Sequence, residues 1–156
     1  MNISPTSTPS PADADAEKTG VTELHPSGDA VIVILGPGGV NCHGRFLVSS
    51  ATLSLASSYF RALFGPNFKE GVDLRKSICP EIVLEENWPE EMETLLSILH
   101  FHNLHDYRYL DSRTIALVAY QSDKYDCAGA LIPWGSMVLD SVPTSSMVTF
   151  SRRLTC

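Results

Sequence analysis

The spacing of apolar residues changes within the stretch from Phe46 to Phe64, which reads FLVSSATLSLASSYFRALF. Phe46 and Val48 follow a two-residue period, which is typical of a strand. Four later apolar residues recur at helical spacing instead: Leu53, Ala56, Phe60 and Leu63. The pattern therefore predicts that a strand gives way to a helix near Ser49 or Ser50, because either hydroxyl can accept a hydrogen bond from the first helical turn.

A second short helix is predicted directly after the first. Ser57 or Ser58 can cap it in the same way, and the apolar residues that follow supply its buried side. Gly65 and Pro66 end it, because glycine accepts a left-handed cap and proline cannot continue the hydrogen-bond ladder.

A β-hairpin is predicted before the helices. The run Ala30 to Leu35 is continuous in Val, Ile and Leu, which suits a buried strand. Gly36, Pro37, Gly38 and Gly39 then form a turn, and the segment up to Val48 returns as the second strand.

Turn residues and helix-capping residues divide the rest of the chain into predicted loops, helices and one strand. We expect a surface loop from Pro66 to Ser77 and a helix that begins at Asp111 or Ser112 and ends near Asp123 or Tyr125. Three further elements are predicted: a strand at Ile82 to Leu84, a helix from about Pro89 to His100, and a short helix at Cys127 to Leu131.

One domain, residues 28–132, is predicted between two atypical ends. Residues 1–27 are rich in Ser, Thr, Pro and Ala without apolar periodicity, so we expect a disordered tail. Helical periodicity fades after Pro133, and residues 133–156 are interpreted as a poorly ordered or atypical tail with Trp134 and Phe150 exposed.

Composition narrows the classes of partner. The 156 residues carry a formal net charge of -7 and a pI near 5.1, which disfavours a nucleic-acid surface. No apolar run approaches the roughly 20 residues that span a bilayer, so we expect no contact with a membrane. The N-terminus lacks the pattern of a secretory signal, so we expect an intracellular protein, either cytoplasmic or nuclear.

The sequence contains few motifs that would indicate a catalytic, cofactor or metal site. The four cysteines have no C-x-x-C spacing, and no nucleophile motif is present, so we expect no enzyme, catalytic residue, cofactor or metal. An alternative interpretation is a small nucleotide- or metal-binding enzyme domain. It would use the Gly36 to Gly39 loop, which lacks both G-x-G-x-x-G and Gly-Lys-Ser/Thr, or the His100 to His105 segment, which lacks H-E-x-x-H.

Leu53, Ser57 and Phe60 form the pattern L-x-x-x-S-x-x-F, which resembles the centre of the BTB/POZ domain, most closely the divergent BTB-like proteins common in fungi. The resemblance runs from Asp29 to about Leu131. Three other pieces contribute to it: GDAVIVIL from Gly28, PEIVL from Pro80 and LVAYQSDKYDC from Leu117. It implies an α/β (α+β) fold with a small three-stranded sheet capped by five or six helices, and a core that includes the motif and Tyr125.

The resemblance also implies a protein-interaction module that acts as an adaptor or scaffold. In BTB proteins that recruit cullin ubiquitin-ligase scaffolds, an apolar-x-Glu triplet contributes to the contact, and Phe68, Lys69 and Glu70 match it. A cullin is thus the leading partner, and a homodimer is the second. The alternatives are that Phe68 covers the core while Glu70 is solvated, and that the chain is a structural subunit stable only within a larger assembly.

The sequence departs from many animal BTB domains at two points. Those domains pair an early Asp, matched by Asp29, with a basic residue at the start of the central helix, where Ser49 and Ser50 stand here. Their homodimers also use an N-terminal helix and an exchanged strand, for which Val21 and Leu24 supply few apolar residues. Neither the charged pocket nor dimerisation by that exchange is therefore expected.

Overall fold

The computed structural model describes residues 20–36, 38–39, 41–85 and 88–141, with side chains up to residue 138. Its four strands are β1 (Val21–Glu23), β2 (Ala30–Leu35), β3 (Cys42–Val48) and β4 (Glu81–Leu84). Its six helices are α1 (Ser50–Ala56), α2 (Ser58–Leu63), α3 (Lys69–Arg75), α4 (Pro89–Leu99), α5 (Ser112–Lys124) and α6 (Ala128–Ser141). The described chain is therefore a mixed α/β fold.

The strands form one sheet in the order β1-β3-β2-β4. Strands β2 and β3 are antiparallel, with Val31 opposite Leu47, which confirms the predicted hairpin. Gly38 and Gly39 turn the chain with φ of 84° and 69°, values that glycine adopts without steric cost. The two outer strands are parallel to their neighbours, β4 to β2 and β1 to β3.

The N-terminal prediction is corrected by β1. The sequence predicted a three-stranded sheet and a disordered tail over residues 1–27, but Val21–Glu23 forms a fourth strand and Leu24 is buried. The Leu24 N–H donates to Leu47 O at 3.0 Å, which ties this segment to the hairpin. Residues 1–19 lie outside the described residues.

One face of the sheet packs against the helices and forms the core. On β2, β3 and β4 the members of this core alternate along the strand, because successive side chains point to opposite faces of a sheet. The buried cluster consists of side chains from the inner face of the sheet and from five helices, α1, α2, α4, α5 and α6. Its members include Ile32, Ile34, Phe46, Val48, Leu53, Phe60, Ile82, Leu84, Met92, Leu95, Val118, Leu131 and Trp134.

Side-chain caps set where the helices begin. The Ser49 hydroxyl accepts from Thr52 N at 3.2 Å at the start of α1, and the Ser57 hydroxyl accepts from Phe60 N at 3.1 Å at the start of α2. The Asp111 carboxylate accepts from the first turn of α5. The caps predicted at these three positions are confirmed.

Two other predictions are wrong in part. Residues 69–75 form α3 instead of a loop. Helix α6 continues through Pro133 to Ser141, well past the predicted end at Leu131. Trp134 is buried, with its Nε1–H donating to Tyr107 O at 3.2 Å, so packing maintains a helix whose sequence is unfavourable. Residues 142–156, including Phe150, lie outside the described residues.

Phe60 is fully buried and stacks on Tyr125, with ring centroids 5.4 Å apart. We expect Phe60→Ala to lower the free energy of unfolding by about 3 to 5 kcal/mol, because the substitution leaves a cavity in a close-packed core. Urea titration of both chains measures the difference. A loss below about 1 kcal/mol would contradict this role for Phe60.

Gln121 is also fully buried, on α5, and neither its Nε2 nor its Oε1 has a hydrogen-bond partner among the described residues. A buried amide without partners loses its hydration and gains nothing in return. The cost is about 1 to 3 kcal/mol for a polar group of this kind.

Gln121→Met is therefore expected to raise the free energy of unfolding by about 1 to 3 kcal/mol, since methionine has a similar shape and no amide. Gln121→Glu is the matched control and should destabilise the fold, because it places an unpaired charge in the same site. Urea titration compares the three chains. Destabilisation by the Met variant would show that the amide is satisfied in solution.

Candidate protein-interaction site

The motif residues Leu53, Ser57 and Phe60 join three helices. The Ser57 N–H donates to Leu53 O at 2.9 Å at the end of α1, while its hydroxyl accepts from Phe60 N at the start of α2. The same hydroxyl donates to Tyr125 O at 2.6 Å, just after α5. Leu53, Ser57, Phe60 and Tyr125 are all buried, so the residues expected in the core lie there together.

An aromatic cluster surrounds this junction. The Phe60 ring stacks on Tyr125 and on Phe64, with the second pair of centroids 6.2 Å apart. Tyr59 contacts both Phe60 and Tyr125 edge-on, at 5.3 and 5.1 Å. Because aromatic pairs prefer these two geometries, the cluster adds to the stability of the α1–α2–α5 junction.

The expected partner-binding triplet lies at the start of α3. Phe68 is the residue before the helix, its carbonyl accepts from Val72 N at 3.1 Å, and Lys69 and Glu70 form the first turn. The Phe68 side chain is 49% exposed and does not belong to the buried core cluster, which argues against its covering the core. Lys69 is exposed and Glu70 is half-exposed.

Gly71 fixes where this triplet sits. A Cβ at Gly71 would collide with the backbone carbonyl oxygens of Gly65 and Phe64. Only glycine therefore lets α3 approach the end of α2 so closely. The contact fixes α3, which begins directly after Phe68, against the backbone of Phe64 and Gly65.

Asp29 has an uncharged partner. Its carboxylate accepts from Ser50 N at 2.7 Å and from the Ser50 hydroxyl at 2.6 Å. The pair connects the sheet to the start of α1 by hydrogen bonds, in the place where the animal BTB pattern has a basic residue. Asp29 therefore acts here as a structural acceptor.

The histidine segment is not arranged as a cluster of ligands. His100 is buried, and its Nε2 accepts from Ser49 N at 3.1 Å, so Nδ1 carries the proton and donates to Leu96 O at 2.8 Å. His102 is half-buried and His105 is exposed. Among the described residues, no group of three His, Cys, Asp or Glu side chains could hold a metal ion.

Burial lowers the pKa of His100, because an imidazolium would lose hydration there. The nearby His25 ring, with its centroid 6.4 Å away, also lowers the pKa of His100, because two imidazolium rings this close would repel each other. The hydrogen bond that Nδ1 donates to Leu96 O opposes this effect without overcoming it. The Ser49 N–H donates to the Nε2 lone pair, which a second proton would occupy, so this bond also favours the neutral ring.

The glycine loop closes a hairpin. The Gly36 N–H donates to Asn41 O at 2.9 Å and the chain continues into β3, so no helix N-terminus follows that could hold a phosphate. Cys42, Cys79 and Cys127 are free thiols, and burial raises the pKa of Cys127 to about 12. Neither the glycine loop nor the three thiols have a geometry that favours the alternative of an enzyme domain.

An apolar groove of about 270 Å³ between α5 and α6 was missed by the sequence interpretation. Its lining residues include Ile115, Ala119, Ala128, Leu131, Trp134 and Val138. Ile132 beside it is 66% exposed. The signal was present in the sequence, since no charged residue occurs from Cys127 to Leu139.

No model of a known protein family matches this chain, and no curated protein matches it either. Within the part of the chain that the structure describes, no helix combines the length and apolar character needed to cross a bilayer.

We expect acidification to destabilise the fold through His100. Above a pH of about 6.5 the ring is neutral in both the folded and the unfolded chain. As the pH falls below that value, His100 binds a proton in the unfolded chain before it does so in the folded chain, because folding lowers the pKa of His100. The free energy of unfolding should therefore decrease from pH 7.5 to pH 5.5.

The measurement is urea titration at both pH values with three chains: the parent, His100→Gln and His105→Gln, which alters an exposed histidine. His100→Gln should reduce the pH dependence, whereas His105→Gln should retain most of it. Equal pH dependence in all three chains would contradict a role for His100.

Proposed function

We propose that this chain is a BTB/POZ-like protein-interaction module that acts as an adaptor or scaffold, with a cullin-type ubiquitin-ligase scaffold as its partner. The single observation that carries the proposal is the position of Phe68. A large aromatic side chain is held half-exposed beside a carboxylate, on a short helix that is fixed against the domain. An apolar anchor with an adjacent charge is a common arrangement at protein interfaces.

The order of the elements supports the BTB-like part of the proposal. A hairpin is followed by two short helices carrying L-x-x-x-S-x-x-F, then by a strand parallel to β2 and by α4. Ser57 connects this centre to the SDKYDC segment through Tyr125. The pieces that carry the sequence resemblance are therefore in contact.

The geometry of the triplet favours a protein partner over a small molecule. Phe68 is 49% exposed at the start of α3, and it lines none of the three described cavities. A partner that offers an apolar pocket would cover Phe68, while Glu70 would meet a donor at the edge of the contact. A cullin scaffold is the partner class that the resemblance implies for such a triplet.

The test is direct binding of the full 156-residue chain to purified cullin scaffolds, measured by biolayer interferometry. We expect the parent to bind and the Phe68→Ala, Glu70→Ala double variant to bind at least about tenfold more weakly, since anchor residues cost more than about 1 kcal/mol each when truncated. Thermal melting must show that the variant is folded.

A matched control is the Tyr109→Ala, Asp106→Ala double variant. It also removes an exposed aromatic and an exposed acid, but from the segment between α4 and α5. Its affinity should equal that of the parent. Equal affinity of the Phe68 variant, or a parent that binds no cullin, would contradict the proposal.

A further inference from the structure

The rings of His25 and His100 meet between the N-terminal strand and the helices. His25 lies between β1 and β2 and is half-buried, whereas His100 ends α4 and is buried. Their rings contact edge-on, with centroids 6.4 Å apart. The residue before His25, Leu24, is buried in the core. We call this pair of rings the histidine contact, and it connects the segment that carries β1 to α4.

Each ring of the histidine contact accepts a hydrogen bond from the backbone. The Ser27 N–H donates to His25 Nδ1 at 3.1 Å, and the Ser49 N–H donates to His100 Nε2 at 3.1 Å. A backbone N–H only donates, so both ring nitrogens must carry a lone pair. Because an imidazolium has a proton on both nitrogens, the two bonds require both rings to be neutral.

A second proton on either ring removes one of these bonds. His25 Nδ1 or His100 Nε2 then becomes a donor that faces another donor, the N–H of Ser27 or Ser49. When both rings are protonated, two positive charges also face each other, with 6.4 Å between centroids, and repel. Acid therefore weakens the histidine contact in two ways.

The acids of the elements that meet here are engaged with other groups or lie away from the rings. Asp29 accepts from the N–H and the hydroxyl of Ser50, and Glu23 is exposed on β1. Helix α4 carries its acids in its first half, at the end opposite to its histidine: Glu90, Glu91 and Glu93.

The other elements packed against α4 add little charge near the contact. Strand β2, helix α1 and the described side chains of α6 are uncharged, and Arg45 of β3 pairs with Glu81. Exposed charged or titratable side chains lie on α5 and on the segment before it: His105, Asp106, Arg108, Arg113, Asp123 and Lys124. The groups that act on the charge of His100 are His25 and His102, and both disfavour it.

We propose that the histidine contact is a pH-sensitive switch, which holds the segment that carries β1 against β3 at neutral pH and releases that segment in acid. The released part is residues 20–28, while the rest of the sheet and the helices stay folded. Strand β1 is suited to this opening, because it has three residues, lies at the edge of the sheet and is exposed along its length. The switch uses no residue of the Phe68 triplet and does not depend on the proposed cullin binding.

The size of the effect follows from His100. Burial and the neighbouring rings lower the pKa of His100 in the closed chain, and opening uncovers the side of the ring that His25 contacts. An imidazole that takes up its proton near pH 6.5 in the open chain, and not in the closed chain, increases the open population about tenfold between pH 7.5 and pH 5.5. The open state is therefore favoured as the pH falls.

Amide hydrogen exchange of the full chain tests the switch, when it is followed by NMR at pH 7.5 and pH 5.5 and corrected for intrinsic exchange rates. The reporter is the N–H of Leu24, which donates to Leu47 O. The reference is the N–H of Ile32 in the interior strand β2. We expect Leu24 to open more readily than Ile32 at both pH values, and its opening constant to increase about tenfold at the lower pH.

Glutamine variants test the two rings separately. A glutamine side chain accepts from an N–H through its oxygen and takes up no proton. His100→Gln should therefore reduce the pH-dependent change in Leu24 opening from about tenfold to about threefold or less, and His25→Gln should reduce it as well. His105→Gln alters an exposed histidine and should retain the tenfold change.

An amide spectrum at pH 7.5 shows whether each variant is folded. If His100→Gln is not, His25→Gln at its half-buried site carries the test. Three results would overturn the proposal: Leu24 opening that does not depend on pH, equal opening constants for Leu24 and Ile32, or variants of both rings that retain the full tenfold change.

Discussion

The hydroxyl of Ser57 is the interaction on which the helical layer depends. It accepts from the N–H of Phe60 and donates to the carbonyl of Tyr125, while the Ser57 backbone ends α1. One buried residue thus links α1 and α2, which adjoin it in the chain, to the end of α5, 68 residues later. A buried polar group without such partners would cost stability, so this position requires a small hydroxyl side chain.

Helix α1 is fixed at both ends by the same principle. At its start the Ser49 N–H donates to His100 Nε2 and the Ser50 N–H donates to Asp29, and at its end Ser57 provides the link to Tyr125. Isolated helices of this length are unstable in water. The seven residues of α1 are therefore helical because their ends are hydrogen-bonded to other elements.

Sequence patterns predicted the elements whose signals are local. The hairpin followed from the apolar run beside the glycines, and the caps at Ser49, Ser57 and Asp111 followed from helix chemistry. Strand β1 was missed because a long-range contact forms it, the pairing with β3 that buries Leu24. Helix α3 was missed because its close approach at Gly71 to the backbone of Phe64 and Gly65 leaves no apolar period in the sequence. The Phe68 triplet was visible in the sequence, but its exposure follows from α3 and could not be predicted without it.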